Sequence, residues 1–203
     1  MAKLRKYFIP VLIIFHVIGL ALFIYVPEFV KLSYMNIALC GLLVFLDRNI
    51  AAKGLIAALI VIAGGFTVEL VGVQTGLLFG EYAYGSALGP KLMDVPLIIG
   101  VNWLAIVLAS IGVIGSFKLK TGLAAVFAGA LSTAMDYLIE PVAIRFDFWS
   151  WTGSVIPVWN YICWFIFCTI FAYLCIKWWG NTNKTGAGLY VIWLIFFGIL
   201  NFV

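Results

Sequence analysis

The chain has 203 residues, of which 66% are hydrophobic and 10% charged, and its mean hydropathy is +1.19. Soluble domains carry about 25% charge and about 45–50% apolar residues, so an ordinary water-soluble domain is excluded. The net charge of +4 is no nucleic-acid signal, because the basic residues flank apolar runs and form no patch. No nucleic-acid partner is expected.

Charge spacing sets the predicted elements. No charge falls between Lys6 and Glu28, between Asp94 and Lys118, between Asp147 and Lys177, or after Lys184. A spanning helix needs roughly 17–25 such residues. The shorter runs Leu32–Leu46, Gly54–Val68 and Thr121–Met135 reach that length by including a flanking polar residue. The reading is all-α: a polytopic transmembrane bundle of about seven helices, forming a single integral membrane domain over residues 1–203. The spans fall at 8–26, 32–47, 52–72, 96–116, 122–142, 157–178 and 187–202. The basic start before the first run mimics a signal peptide, but no small-residue cleavage site follows. It is read as the first helix.

With the N-terminus inside, the cytoplasmic side collects Lys3, Arg5, Lys6, Arg48, Lys53, Lys118, Lys120, Lys177 and Lys184. The outer side collects Lys31, Lys91 and Arg145. This bias orients the chain N-in and C-out. Acids run the other way. Asp47 is cytoplasmic, whereas Glu28, Glu69, Glu81, Asp94, Asp136, Glu140 and Asp147 fall in the outer half. His16, in the first span, is expected to join helices by packing. Cys40, Cys163, Cys168 and Cys175 form no C-x-x-C pair, so they read as buried apolar residues.

Residues 73–95 are too Gly- and Tyr-rich for a span and too apolar for a solvated loop. Such a segment is interfacial or re-enters the bundle. The connection at 143–156 carries Phe148, Trp149 and Trp151. It reads equally as an aromatic belt or as the mouth of an apolar substrate tunnel.

Glu69, Asn102, Asp136 and Glu140 interrupt apolar helices. An ionised acid at the bilayer centre costs about 2.5–3.5 kcal/mol, so these acids need partners, a wet cavity or a proton. At 1.5 Å rise per residue, Glu69 lies about 24 Å, Asp136 about 21 Å and Glu140 about 27 Å from the cytoplasmic end. Asn102 lies about 10 Å below the outer surface. These residues therefore share one layer, with Asn160 and Trp164 at similar depth. Asp136 and Glu140 share a helix face at i, i+4, to which Thr133 adds. The glycines Gly65, Gly72 and Gly76 form a small-residue stripe beside Glu69 that would admit another helix.

Missing residues narrow the chemistry. The last helix has no lysine for a retinal Schiff base. The Asp136–Glu140 stretch is like half of a prenyltransferase Asp-rich motif, but no second half or basic pair accompanies it. There is no Pro-x-Glu-Glu/Asp of the small lycopene cyclases and no Gly-x-Gly-x-x-Gly for a dinucleotide. Among enzymes, a redox-neutral, acid-catalysed reaction on a lipid is left, with no metal and no cofactor.

Ordered motifs carry a resemblance. They are Glu69-x-x-Gly72-x-x-x-Gly76-x-x-Phe79-Gly80-x-Tyr82-x-Tyr84, Leu88-Gly89, Val95-Pro96-Leu97, Trp103, Asp136-x-x-x-Glu140-Pro141-Val142-Ala143, Phe148-Trp149-Ser150-Trp151 and Pro157-x-x-Asn160-Tyr161-x-x-Trp164. Over roughly residues 65–170 the chain resembles the CruF-type carotenoid biosynthesis membrane proteins. It departs from that pattern at Ile156-Pro157-Val158, where Gly-x-Pro is expected, and at Cys163-Trp164, where Gly-Trp is expected. The resemblance implies hydration of the terminal double bond of an acyclic carotenoid end to a tertiary alcohol. It also implies an acyclic or monocyclic carotenoid, water and membrane lipid as partners, with association with other carotenoid enzymes as a further partner class. The expected location is a prokaryotic cytoplasmic membrane.

On this reading Asp136 and Glu69 flank the reacting alkene, one as acid and one as the carboxylate that orients water. Glu140 lies closer to the interface, and Asp94 is the outside candidate if the loop folds inward. Asn102, Asn160 and Tyr161 would hold the water or the carboxyls. Trp103, Trp164, Tyr82 and Tyr84 would line the cation site, and Trp149 and Trp151 the mouth. Two other classes compete: a carotenoid-binding protein without chemistry, and a small proton-coupled transporter. Product mass separates the first from an enzyme, and proton flux in liposomes tests the second.

Overall fold

The computed structural model describes residues 2–48, 50–181 and 183–203. After a single turn, α1 (Ala2–Arg5), seven longer helices follow: α2 (Phe8–Tyr25), α3 (Ser33–Leu46), α4 (Ala52–Thr75), α5 (Ile99–Ile114), α6 (Thr121–Arg145), α7 (Val158–Trp179) and α8 (Lys184–Leu200). They fall on the seven predicted spans, and the protein is an all-α polytopic bundle. Five stretches, Lys3–Tyr25, Pro27–Leu46, Ala52–Thr75, Thr121–Arg145 and Val158–Trp179, are long and apolar enough to cross a membrane. Ile99–Ile114 and Lys184–Leu200 are apolar but shorter.

The short α5 is the axis of the bundle. Every residue from Trp103 to Gly112 is buried, the pattern of a helix enclosed on all sides. It touches α3, α4, α6, α7 and α8. Close approach depends on missing side chains. A methyl group on Gly112 would strike the backbone of Asn183 and Ala187, and one on Gly186 the carbonyl of Leu108. That is how α5 and α8 cross at short range.

The chain starts at one end of the bundle, where Arg5 donates to the Arg48 carbonyl. It finishes at the other, where Arg145 donates to the Leu200 carbonyl. This second end carries a lid. Gly76, at φ 67, terminates α4. Beyond it, β1 (Tyr82–Tyr84) pairs antiparallel with β4 (Trp149–Trp151), in the register Tyr82↔Trp151, Ala83↔Ser150 and Tyr84↔Trp149. Aromatic and small residues alternate in both strands, so the period of two turns four rings to one face.

β2 (Lys91–Leu92) and β3 (Val95–Pro96) make a tight hairpin. Met93 and Asp94 occupy its turn with φ of 50 and 66, as a two-residue primed turn requires. The segment expected to lie at the interface or re-enter the bundle is therefore a β-structured cover. Phe79, Tyr84, Ala87, Leu88 and Val95 anchor it in the bundle core.

Candidate active site

Three carboxyls meet under the lid. Glu69 on α4 is 4% exposed, Asp136 on α6 is 2% and Glu140, one turn further on, is 1%. The sequence reading set Glu140 nearer the interface than the other two. Glu140 lies one turn nearer the end of α6, and β4 folds over that end, so that it is as little exposed as its neighbours.

Glu69 is held by three donors. One oxygen accepts from the Tyr82 hydroxyl at 2.5 Å and the Tyr84 hydroxyl at 2.7 Å. The other accepts from the Trp103 indole N–H at 2.9 Å. Burial, and then the Glu69 carboxyl, push both phenols well above their ordinary range, so they remain donors. Glu140 is held in the same way. One oxygen accepts from the indole N–H groups of Trp149 and Trp151, each at 2.9 Å, and the other from the Asn160 amide at 3.3 Å.

Asp136 differs. It takes one hydrogen bond, from the Asn160 amide at 3.0 Å. Asn160, on α7, thus ties the two α6 carboxyls together. Behind them Trp103 stacks on Trp164 with ring centres 4.2 Å apart and planes within 5°. Gly65 makes room for this, because a side chain there would run into the Trp103 indole. The stripe of glycines on α4 therefore admits aromatic rings: Gly65 faces Trp103, and Gly72 faces Phe79 and Tyr82.

Two cavities meet at this layer. The larger, about 450 Å³, is apolar and runs between α2, α3, α5, α6 and α8 to Asp136, Asn102, Trp149 and Trp164. Its wall includes Phe15, Ile18, Phe29, Leu32 and Met35, which are exposed on the flank of the bundle. The smaller, about 20 Å³, lies among Glu69, Tyr82, Tyr84, Asn102, Asp136, Glu140, Asn160 and Trp164. A volume of about 10–15 Å³ with two to four polar neighbours holds one water. Asp136 is the carboxyl that lines both.

The structure brings together Glu69, Asp136, Glu140, Tyr82, Tyr84, Asn102, Trp149, Trp151, Asn160 and Trp164 around the small cavity. Trp103 lies one ring further back, against Glu69 and Trp164. Three residues stand elsewhere. Asp94 is exposed in the β2–β3 turn, because a two-residue loop points its side chains away from the bundle. Tyr161 packs on the exposed Tyr137 ring at 5.6 Å, on the outside of α6 and α7. Thr133 bonds back to the Gly129 carbonyl of its own helix.

The aromatic residues of the second connection were readable as a lipid belt, but Trp149 and Trp151 serve Glu140. The sequence reading also missed the contribution of α2, α3 and α8 to the large cavity. There, the Trp193 indole donates to His16 Nε2 at 3.1 Å, so His16 does join helices. The available signal was Ser33 and Asn36, polar at i, i+3 on an apolar helix and followed by Cys40 on the same face.

Comparison with known proteins gives the family. Residues 10–203 match the family model described as carotenoid biosynthesis protein. Bisanhydrobacterioruberin hydratase of Haloarcula japonica is 30% identical over 134 residues, covering 62% of this chain and 44% of that protein. The chain thus matches less than half the length of this relative. No solved structure matches. With the family model spanning α2 to the last residue, the chain belongs to the carotenoid biosynthesis protein family.

Proposed function

We propose that this protein hydrates the terminal C=C of an acyclic carotenoid end to a tertiary alcohol, without a cofactor. One observation carries the reading: an apolar cavity open to the flank of the bundle and a water-sized polar cavity meet at a single carboxyl, Asp136. The name of the Haloarcula japonica relative, a hydratase, supports it.

The chemistry follows from the donor pattern. Glu69 and Glu140 each take three donors, whereas Asp136 takes one and faces both cavities. Asp136 is therefore the proton donor. Its proton goes to the less substituted alkene carbon, leaving positive charge on the tertiary carbon. Trp149 and Trp164 line both cavities, and an aromatic face stabilises a cation by roughly 0.5–2 kcal/mol. Glu69 and Glu140 add acceptor oxygens near the charge. A water in the small cavity, oriented by Asn102 and Glu69, bonds through oxygen to that carbon. It loses a proton to Asp136, which restores the acid. The net change is addition of one water, with no change of redox state.

The remainder of the polyene lies along α2 and α3, where the cavity wall passes into the lipid-facing surface. In the bilayer the lid end faces outward, with the N-terminus in the cytoplasm and the C-terminus outside, as the distribution of Lys and Arg favours. Fusions of a compartment-sensitive reporter to both termini test this, and matching signals from the two ends would overturn it.

Expression in a carotenoid-producing host, followed by mass analysis of the pigments, tests the function. The expected pigment gains the mass of one water, takes its oxygen from labelled water and forms without air. Pigment that co-purifies with the protein but keeps its mass would replace the hydratase reading with a binding protein.

A further inference from the structure

We propose that Asn160 is a positioning residue: it stops Asp136 from sharing its proton with Glu140 and keeps that proton on Asp136 Oδ1, the oxygen left free for the cavities. The use made of the proton rests on the hydratase reading. Asp136 and Glu140 stand one turn apart on the same face of α6. A protonated carboxyl beside a carboxylate can donate to it, and a proton held between two acids is withheld from an alkene. Among the described residues that line the small cavity none is basic, so no cation separates the pair.

Asn160 separates them instead. It is buried on the first turn of α7. Its amide nitrogen lies 3.0 Å from Asp136 Oδ2 and 3.3 Å from Glu140 Oε1. A primary amide has two N–H bonds, one for each acid. Bound to one nitrogen, these two oxygens are the pair that face each other, and both are occupied. Glu140 Oε2 is taken by the indoles of Trp149 and Trp151. Among the described residues none donates to Asp136 Oδ1.

The donor pattern sorts charge from proton. Hydrogen bonds to an ionised acceptor are stronger than neutral ones, so Glu69 and Glu140, with three donors each, hold negative charge best. The proton of the layer is left to Asp136. In a carboxylic acid the carbonyl oxygen is a better acceptor than the hydroxyl oxygen. With Asn160 donating to Oδ2, Oδ2 is the carbonyl and Oδ1 carries the hydrogen. Transfer breaks the Oδ1–H bond and forms a C–H bond at the less substituted alkene carbon. The carboxylate left behind keeps its Asn160 donor. When water bonds to the tertiary carbon, its surplus proton re-forms Oδ1–H. Each turnover then starts with the proton on the same oxygen.

The test reads the infrared C=O stretch of the protonated Asp136 carboxyl in the full-length protein in detergent, without substrate. Asp136→Asn identifies the band by deleting it. The wild type should show one narrow band. Asn160→Leu removes both donors at similar volume, and the narrow band should give way to a broad absorption at lower frequency as the proton passes between the acids. Adding Glu140→Gln to Asn160→Leu removes the carboxylate partner, and a narrow band should return. Asn160→Leu should also lower the hydration rate about tenfold, the effect of one hydrogen bond to a charged group, with pigment binding unchanged.

Asn160→Ser, smaller and with a single O–H donor, is the second variant should Asn160→Leu fail to fold. One hydroxyl hydrogen cannot serve both acids, so the band should broaden there as well. A cooperative thermal transition shows which variant is folded. No Asp136 band in the wild type would overturn the proposal, as would a band unchanged in a folded Asn160 variant or a broad one that Glu140→Gln does not sharpen. The expected bands in a wild type that adds no water to its pigment would overturn the hydratase reading and leave the proton placement standing.

Discussion

The two ends of the bundle both bury polar side chains, and they bury them in different ways. At the end where the chain begins, side chains bond to backbone. Asn183 donates to the Val44 carbonyl at 3.1 Å and accepts from the Gly186 N–H at 2.7 Å. Asp47 accepts from the Thr185 N–H at 3.0 Å. Arg48 donates to the Trp179 and Gly180 carbonyls and lies over the Trp179 ring at 4.6 Å. Every helix end leaves backbone groups unsatisfied, and these bonds satisfy them. Under the lid, side chains bond to side chains. Carboxyls on α4 and α6 receive indole, phenol and amide donors, and cavities adjoin them. Polar residues that complete helix ends hold a fold together. Polar residues that complete one another beside a cavity are the ones available for chemistry.

Mutation at matched positions can break this contrast. The largest effect is expected from Asp136→Asn, which keeps shape and removes the transferable proton. Hydration should fall by about 10²–10⁴, the usual contribution of a general acid, with pigment still bound. Asp47→Asn, its counterpart at the opposite end, should lower the unfolding midpoint in detergent and leave product yield intact. Near-normal product from Asp136→Asn would make the acid layer structural.

Next comes Glu69→Gln, which points an amide donor at the Tyr82, Tyr84 or Trp103 donors. A loss of about 1.5–3 kcal/mol for each charge-assisted bond broken should show as at least a tenfold loss in hydration rate. Trp149→Phe and Trp151→Phe each remove one donor from Glu140, and a loss of about tenfold is expected from either. A further step down is Asn183→Ala, which removes the α8 N-cap. It should cost about 0.5–2 kcal/mol of stability, read by thermal unfolding, with hydration rate unchanged. Smallest of all is Asp94→Asn in the exposed turn, where an asparagine fits the positive φ. It should alter neither quantity, and loss of hydration there would mean that the lid supplies the acid.

The helices were legible because charge-free runs of spanning length can be counted, and a helix stands at each of the seven places read, five of them long and apolar enough to cross a membrane. The acid layer was legible because a carboxyl in an apolar helix demands a reason. The lid was not. Its two short strands pair Tyr82 with Trp151, far apart in sequence, and three residues are too few to establish a period of two. Missing the lid hid the cover over Glu140, because depth along a helix says nothing of what folds over its end. It also left Asp94 as a candidate, since a hairpin turn that faces outward looks in sequence like a loop that could fold inward. Ser33 and Asn36 escaped because single polar residues in a helix are commonplace.

The spacing of the donors bears on how such a chain is made. Tyr82 and Tyr84 follow Glu69 by 13 and 15 residues, and Trp149 and Trp151 follow Glu140 by 9 and 11. Glu69 and Glu140 are thus each succeeded, within the very next connection, by aromatic groups that can bond them, whereas Asp136 waits for Asn160 on α7. Partitioning a carboxyl-bearing helix from the translocon into lipid costs about 2.5–3.5 kcal/mol when the acid is central and unassisted. Here the ribosome delivers the remedy a few residues behind the problem. Each helix and its trailing loop can settle as one unit during synthesis, before the distant halves of the lid meet. Two of the three buried acids therefore need not make the chain hard to insert.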